Sequence, residues 1–218
     1  MKYMQLSIQL CIIGFFFGPV LVDASSFRVV AFSQITSLTG LEYQSGDGIE
    51  SVTISTSSFS VKYPIPPSGV IDFYKNVPLG EEEQVPLLEV NFGEESGDMI
   101  LLLQADAQRL SYSYLLIEDT VEGFPMGSVM VMNFTSKSVF AKFGEERVKL
   151  ESGSQEIVSL TGLKNLPFNG GVKFAVEFDG SGKVFSSSSW YLLPSMKIFC
   201  LIYSNPDGKP RIRRIRLT

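Results

Sequence analysis

The chain has 218 residues, of which 18 are basic and 23 acidic, and it contains no histidine. The absence of histidine excludes Ser-His-Asp triads, Cys-His dyads, histidine-ligated zinc and a histidine general base. Phosphate-binding loops and the G-x-S-x-G turn of serine hydrolases are also missing from the sequence. We therefore expect a non-catalytic protein without cofactor, metal site or catalytic residue, although a pair of carboxylates would leave no sequence signature.

The first 24 residues have the features of a secretory signal peptide. Lys2 supplies a positive charge, Leu10–Val22 form an apolar run of 13 residues, and "VDA" at 22–24 has the spacing of a cleavage site. A helix needs about 20 apolar residues to cross a bilayer, so an uncleaved anchor is the weaker interpretation. We predict a signal peptide over 1–24, a mature chain from about Ser25, and export to the periplasm or the extracellular space. No membrane span is expected after cleavage.

The mature chain retains one cysteine, Cys200, which excludes an intrachain disulfide. A secreted chain of this size can form a sufficient hydrophobic core without one. Cys200 lies in the apolar run KIFCLIY, and buried thiols behave as small, unreactive apolar groups. We predict that its side chain is buried rather than paired with another chain.

Apolar and polar residues alternate with a period of two along most of the mature chain, with turn residues between the runs. This period predicts β-strands, and no stretch has a helical period over three turns. In FSVKYPI (59–65) the odd-numbered residues share one predicted face. The predicted strands are FRVVAF (27–32), SVTIST (51–56), FSVKYPI (59–65), VIDFYK (70–75), LLEVNF (87–92), MILLLQ (99–104), LSYSYLLI (110–117), SVMVMNF (128–134), SVFAKF (138–143), RVKL (147–150), EIVSL (156–160), VKFAVEFD (172–179), VFSSSSW (184–190), KIFCLIY (197–203) and RIRRIRL (211–217).

The four consecutive serines and the chain's only tryptophan lie in one predicted hairpin. The strands VKFAVEFD and VFSSSSW flank the Gly-rich turn DGSGK, which is a hairpin signal. We interpret Trp190 as a core residue, because single core tryptophans are common in β-sandwiches. The alternative is a tryptophan that stacks on a sugar between serine hydroxyls. Without histidine, no obvious base activates a serine here.

The order of the predicted strands repeats along the chain. FRVVAFSQ at Phe27 corresponds to SVMVMNFTS at Ser128, 101 residues later, and MILLLQAD at Met99 corresponds to MKIFCLIYSNPD at Met196, 97 residues later. We predict an all-β fold of two tandem β-sandwich domains of about eight strands each, over 25–122 and 123–218. The joint EDTVEGFPMG (118–127) has no Ser/Gly run, so we expect the domains to be fixed against each other.

Five segments carry a resemblance to known proteins: FRVVAFSQ, YPIPPSGVIDFYK, SVMVMNFT, SSSSWYLL and RIRRI. They resemble a group of uncharacterised secreted bacterial proteins, and the doubled plan is similar to tandem immunoglobulin-like domains of unknown function on bacterial surfaces. The resemblance implies an immunoglobulin-like β-sandwich fold and an exported bacterial protein. It implies no activity, and no functional residue is carried over from it.

Three further patterns have both a functional and a structural interpretation. Met130 and Met132 have the spacing of a soft Cu(I) site, but the apolar residues beside them favour core packing. The acidic runs GEEEQ and GEESGD lack the ligand order of a calcium loop, so we interpret them as solvated loops. Asn133 begins an N-glycosylation sequon, NFT, within a predicted strand.

The last ten residues, 209–218, contain five basic and no acidic side chains, whereas 25–208 have a net charge of −10. Arg211, Arg213, Arg214 and Arg216 are candidates for contact with an anionic partner, such as an envelope polymer or another exported protein. Nucleic acid is not expected as a partner of an exported acidic protein. The alternative, which we favour, is that these arginines protect the outer edge of a sheet. Strict alternation places arginines on both faces of this strand, whereas a bulge between Arg213 and Arg214 would turn both isoleucines inward.

Taken together, these features predict a secreted or periplasmic structural or interaction module. A carbohydrate-binding module is the first alternative, and a carboxylate-based hydrolase is the second. Exposed aromatic side chains would favour carbohydrate binding, and two carboxylates about 5–10 Å apart in a cleft would favour a hydrolase.

Overall fold

The computed structural model describes residues 25–32, 40–46, 48–75, 85–93, 97–106, 111–160, 167–178 and 181–217. Within these ranges the protein is all-β, which confirms the predicted fold class. The described residues form no helix of the length and apolar character that crossing a membrane would require. The predicted signal peptide, the acidic run GEEEQ and part of GEESGD lie outside the described residues.

The described residues form sixteen strands, eight in each half of the chain. In the first half, 25–122, they are β1 (Ser26–Ala31), β2 (Leu41–Ser45), β3 (Gly48–Val52), β4 (Tyr63–Pro64), β5 (Val70–Phe73), β6 (Leu88–Asn91), β7 (Met99–Asp106) and β8 (Ser111–Glu118). In the second half, 123–218, they are β9 (Ser128–Asn133), β10 (Val139–Phe143), β11 (Glu146–Leu150), β12 (Gln155–Ser159), β13 (Phe168–Phe178), β14 (Ser181–Leu192), β15 (Lys197–Ser204) and β16 (Pro210–Leu217).

The two halves have the same strand order. In the first half one sheet has the order β4-β1-β7-β8, and a single bridge between Glu42 and Tyr74 joins two hairpins into the order β3-β2-β5-β6. In the second half the orders are β12-β9-β15-β16 and β11-β10-β13-β14. Each strand of the first half therefore has a counterpart eight places later. In both halves the first strand is parallel to the seventh, an order unlike the ABED and CFG sheets of immunoglobulin constant domains.

Three clusters of buried apolar side chains lie between four layers of sheet. The first core joins the two sheets of the first half, and the second core joins the two sheets of the second half. A third cluster, here called the middle core, joins the sheet of β1 and β7 to the sheet of β9 and β15. The buried members of the middle core are Val30, Ile100, Leu102, Ile117, Phe124, Met130, Met132, Phe199, Leu201, Ile215 and Leu217.

The middle core explains the sequence runs that are apolar on both faces. The strands β1, β7, β9 and β15 form the centres of the two inner sheets, so each of them contacts one core on either side. Strands that are covered on both faces have near-continuous apolar sequences instead of alternating ones. Val29 packs in the first core while its neighbour Val30 packs in the middle core.

Strand pairing corrects one of the two predicted offsets between the halves. Val29 pairs with Leu101, and Val129 pairs with Ile198; all four side chains face the outer core of their own half. Leu101 and Ile198 are 97 residues apart, which agrees with the predicted offset, whereas Val29 and Val129 are 100 residues apart, not 101. The difference of one residue in the first offset matters, because such a shift exchanges the two faces of a strand.

Two predicted strands of the first half are shorter than expected. SVTIST leaves the sheet after Val52, because the Ser55 hydroxyl accepts hydrogen bonds from the backbone N–H groups of Ser57 and Ser58 and closes a turn. In FSVKYPI only Tyr63–Pro64 is a strand, and Val61 is 69% exposed, so the predicted common face of the odd-numbered residues is wrong.

A serine side chain and prolines account for this second difference. The backbone N–H of Val29 donates to the Ser60 hydroxyl (2.8 Å), and the N–H of Ser60 donates to the Val29 carbonyl (2.9 Å). The Ser60 side chain therefore points inward, and its hydroxyl accepts the hydrogen bond that a backbone carbonyl would accept in a regular strand. Pro64 and the two prolines that follow Ile65 lack the N–H group that a longer strand would need.

An acidic side chain joins β1 to the start of β7. The Ser26 hydroxyl donates to Asp98 Oδ1 (2.5 Å), and Lys62 Nζ forms an ion pair with Asp98 Oδ2. Partial burial alone would raise the pKa of Asp98, but the hydrogen bonds from Lys62 and Ser26 outweigh it and hold the pKa below its usual value. The folded state therefore favours the ionised carboxylate.

The joint between the halves is held by a buried ion pair. Lys197 Nζ, at the start of β15, lies 2.7 Å from Asp119 Oδ1; the Lys197 side chain is 4% exposed and that of Asp119 is 10% exposed. The same ammonium group lies 5.1 Å from the ring centroid of Phe124, which packs edge-on against Phe199 in the middle core. The Gly127 N–H donates to the Met196 carbonyl. These contacts agree with the expectation of a fixed joint.

Candidate functional site: a basic groove at the end of the second half

The terminal strand β16 lies at the edge of its sheet, as the sequence predicts. Among the described strands it pairs only with β15, in a continuous register from Lys197–Leu217 to Ser204–Pro210. The register contains no shift, so the alternative of a bulge between Arg213 and Arg214 is wrong. Ile215 faces the middle core and Ile212 packs against the second core, which is the strict alternation.

Two of the four candidate arginines have partners within the protein. Arg213 donates from Nη1 to the Phe32 carbonyl (3.0 Å), and its guanidinium carbon lies 5.7 Å from the centroid of the Tyr203 ring. The guanidinium carbon of Arg214 lies 4.8 Å from the centroid of the Trp190 ring. Arg216 is exposed at the end of the strand. Arg211 lines a groove.

That groove lies at the open end of the second-half sandwich and has a volume of about 500 Å³. Three connections converge there: the loop between β9 and β10, the hairpin of β13 and β14, and the turn between β15 and β16. Four basic side chains from these three connections line it: Lys137, Lys183, Lys209 and Arg211. The topology thus brings one sequence-predicted residue together with three lysines.

An exposed aromatic ring lies among these cations. Phe178 is 48% exposed, and Lys137 Nζ and Lys183 Nζ lie 4.8 and 5.8 Å from the centroid of its ring. Cation–π contacts at exposed sites are worth about 0.5–1 kcal/mol, and they hold the two ammonium groups toward the groove. Val184, which also lines the groove, is exposed as well. The groove therefore combines an apolar floor with a positive rim.

The four cations of the groove have no acidic partner in the part of the chain that the structure describes. None of them forms an ion pair there with a carboxylate within 4.0 Å. The described lining also includes no carboxylate, so it supplies no pair of acidic groups for a hydrolytic reaction. An anion that enters the groove would meet positive charge on several sides.

A buried polar network fixes the loop that carries Lys137. Asn133 Nδ2 donates to the carbonyls of Lys137, Leu150 and Glu151, at 2.8–3.1 Å. The Thr135 hydroxyl donates to Asn133 Oδ1 (2.8 Å) and contacts the Lys137 carbonyl (2.9 Å). Asn133 and Thr135 are the outer residues of the NFT sequon, and both are buried. The asparagine amide is therefore a structural donor with no access for a glycan.

A tight turn places the basic residues of the last hairpin. The N–H of Lys209 donates to Asn205 Oδ1 (2.7 Å), and the N–H of Asn205 donates to the Lys209 carbonyl (2.9 Å). Gly208 has a φ of 73°, a conformation that side chains other than glycine rarely adopt. Asn205 and Gly208 therefore hold Lys209 toward the groove, a role that the sequence analysis missed. The spacing Asn-x-x-Gly is a turn signal that could have indicated it.

Trp190 belongs to the second core. It is 3% exposed, its Nε1 donates to the Ser188 hydroxyl (2.8 Å), and Phe143 and Phe174 lie against its ring. This arrangement agrees with the interpretation of Trp190 as a core residue. It leaves no open ring face for a sugar, so the alternative in which Trp190 stacks on a sugar is wrong. The four consecutive serines lie within β14, the outer strand of its sheet. Phe185, just before them, forms a β-bulge, because Ser186 pairs with Phe174 and Val184 pairs with Ala175.

The other candidate residues of the inner strands are also buried. Met130 and Met132 lie in the middle core among apolar side chains. The described residues contain no group of three or more Cys, Asp or Glu side chains arranged for a metal ion. Cys200 is a buried free thiol, which confirms the prediction, and burial raises its pKa although Arg214 opposes the shift.

The charge of the sequence is divided unequally between the two halves. Residues 25–122 contain 4 basic and 15 acidic side chains, whereas residues 123–218 contain 13 basic and 7 acidic ones. The net charges are −11 and +6, although the mature chain as a whole is acidic. The second half therefore attracts anions more strongly than the composition of the whole chain suggests.

The comparisons with known proteins give no family for this chain. No family model matches it, and a search of curated proteins gives no significant match. The basic groove and the sheet surfaces are therefore the features from which a function can be proposed.

Proposed function

We propose that the protein is an exported, non-catalytic interaction module built from two tandem β-sandwich domains, and that its second domain binds an anionic ligand. The observation that carries the proposal is the groove at Phe178, which is lined by four basic side chains without ion-pair partners among the described residues, two of them over an exposed ring. The predicted signal peptide supports export.

The lining of the groove indicates the chemistry of the ligand. The exposed apolar groups of Phe178 and Val184 favour contact with a hydrocarbon part of the ligand, because burial of apolar surface is favourable. The ammonium and guanidinium groups favour a carboxylate or a phosphate, which accept charge-assisted hydrogen bonds. A small amphiphilic anion, with a negative head and an apolar tail, fits both requirements.

Calorimetric titration with dodecyl phosphate tests this proposal, with the uncharged dodecyl maltoside as the control ligand. We expect the protein to bind the phosphate and not the maltoside. Replacing the four cations together, as Lys137→Gln, Lys183→Gln, Lys209→Gln and Arg211→Gln, removes exposed charge contacts worth about 0.2–1 kcal/mol each. The total of about 1–4 kcal/mol corresponds to binding that is weaker by roughly fivefold to several hundredfold.

A matched variant separates the groove from the general positive charge of the second half. Arg216→Gln removes an exposed cation from the same terminal strand but outside the groove, so we expect unchanged affinity. Phe178→Ser should weaken binding of a long-chain phosphate more than binding of a short-chain one. Equal affinity of the parent and the fourfold variant for dodecyl phosphate would refute the proposal.

A further inference from the structure

The outer face of the sheet β11-β10-β13-β14 carries a row of three adjacent cations. Strand register places Arg147 directly opposite Lys142, and Lys142 directly opposite Lys173 on its other side. These three residues point away from the second core, because their neighbours Ala141, Phe143, Val172 and Phe174 point into it. Directly opposed Cβ atoms are about 4.5–5.5 Å apart, so the row is a short line of positive charge across three strands.

This row is unfavourable for the protein alone. Like charges directly opposite each other on a sheet are destabilising. Lys142 has an acidic partner, Glu145, whose Oε2 lies 3.4 Å from its Nζ on the exposed surface. Arg147 and Lys173 form no ion pair with any other described residue. A bound polyanion would remove the repulsion that the register creates.

Groups suited to a sugar chain continue the row on the same face. Phe140 is 38% exposed and lies one step along β10 from Lys142, with Lys149 Nζ 5.8 Å from the centroid of its ring. Ser187 lies opposite Lys173, and Tyr191, which is 53% exposed, lies farther along β14 on that face. A shallow groove of about 400 Å³ passes over Phe140 and the cations.

We infer that this outer face, here called the basic platform, binds an extended acidic polysaccharide. The repeated cations match a polymer with carboxylates at regular intervals, and adjacent strands repeat at about 4.8 Å. Serine and tyrosine hydroxyls both donate to and accept from sugar hydroxyls. The exposed ring of Phe140 offers an apolar surface for the face of a sugar ring.

The basic platform is separate from the groove at Phe178. The platform lies on the outer face of the sheet, whereas Val176 and Phe185, which line the groove, pack against the second core on its inner side. No cationic residue is shared between the two linings. The platform also provides the exposed aromatic groups that the sequence analysis set as the mark of carbohydrate binding, at Phe140 and Tyr191 instead of Trp190.

Affinity measurements with sodium alginate, a linear polymer with one carboxylate per sugar, test the inference. We expect binding that weakens as salt rises from 50 to 500 mM, because the Debye length falls well below 10 Å over this range. The triple variant Arg147→Gln, Lys142→Gln, Lys173→Gln should bind more weakly by about threefold to a hundredfold. The control variant Arg216→Gln, which removes an exposed cation outside both the platform and the groove, should keep the parent affinity for alginate.

Thermal unfolding supplies a second measurement. If the three cations only stabilised the fold, replacing them would lower the unfolding temperature. Without ligand, the platform triple variant should unfold about 1–5 °C above the parent, because two like-charge contacts are relieved. Alginate should raise the unfolding temperature of the parent and not that of the variant. Phe140→Ser, which keeps all the charges, should weaken alginate binding without changing its dependence on salt.

Three results would overturn the inference. The first is no binding of alginate by the parent at 50 mM salt, and the second is equal binding by the parent and the platform variant. The third is binding of linear polyphosphate as tight as that of alginate, with Phe140→Ser neutral for both, since this would show a site for charge alone. Because the groove is tested with dodecyl phosphate, a failure at either site leaves the result for the other intact.

Discussion

The buried ion pair at the joint gives a stability prediction whose size follows from its surroundings. Asp119→Ala removes the only carboxylate found within 4.0 Å of Lys197 among the described residues. The ammonium group would remain under Phe124 with a side-chain exposure of 4%. Removing one partner of a buried pair leaves an uncompensated charge and costs about 3–5 kcal/mol. For a chain of this size, that corresponds to an unfolding temperature lower by roughly 6–20 °C.

Chemical denaturation and scanning calorimetry of the mature chain measure this loss, and two further variants make the comparison specific. Lys149 and Glu151 form a pair with the same N–O distance of 2.7 Å, but both side chains are largely exposed. Lys149→Gln should therefore leave the free energy of unfolding nearly unchanged. The double variant Lys197→Met, Asp119→Leu should recover most of the stability lost in Asp119→Ala, because apolar replacement of a whole buried pair is often neutral.

Equal losses of stability in Asp119→Ala and Lys149→Gln would refute this prediction. That result would mean that water reaches Lys197 in the folded protein and that the pair contributes no more than a surface contact. A double variant no more stable than Asp119→Ala would instead show that the packing around Phe124 requires the lysine stem.

Four other predictions follow from residues described above. Thiol reagents should label Cys200 slowly in the native protein and rapidly in denaturant, and Cys200→Ser should cost about 1–3 kcal/mol, because it buries a hydroxyl without an assured partner. Asn133→Ala should cost about 2–4 kcal/mol, since three carbonyls lose their donor, and mass spectrometry should find no glycan on Asn133 in a eukaryotic host. The pKa of Asp98 is lowered in the folded state, so its contribution to stability is present above the unfolded pKa and is lost as pH falls through the folded pKa. Asp98→Asn should therefore reduce the loss of stability that the protein shows at acidic pH. N-terminal sequencing of exported protein should begin at about Ser25, and recovery of an intact N-terminus in the membrane fraction would contradict the signal peptide.

The sequence predicts most strands because a period of two survives wherever one face is buried. The pattern fails where the hydroxyl of a side chain replaces a backbone carbonyl as the hydrogen-bond acceptor of the next strand. Ser60 turns inward to bond with Val29, and Val61 consequently points to solvent although the pattern places it in a core. Periodicity alone cannot show this exchange, because it records the polarity of a side chain and not the hydrogen bonds that it makes.

The sequence predicts only part of each candidate site, because most of the site residues are brought together by strand order and register. Arg211 and Lys209 stand out because they lie in a run of basic residues. Lys137 and Lys183 are isolated in the sequence and reach the groove only through the order of the strands. The same holds for Arg147, Lys142 and Lys173, whose alignment depends on register across three strands. The unequal charge of the two halves was a readable signal for both sites.

The parallel pairing of β1 with β7, repeated for β9 with β15, affects the order in which the chain can fold. Five strands separate each first strand from its parallel partner in the sequence, so closing either inner sheet requires contacts between distant parts of the chain. Topologies of this kind fold in milliseconds to seconds, not microseconds. The middle core includes residues from β1 to β16, so water is fully excluded from it only when the last strand has paired. Until then Ile100 and Leu102 on one sheet, and Phe199 and Leu201 on the other, face water. During this interval a newly made chain is at its greatest risk of aggregating with its neighbours.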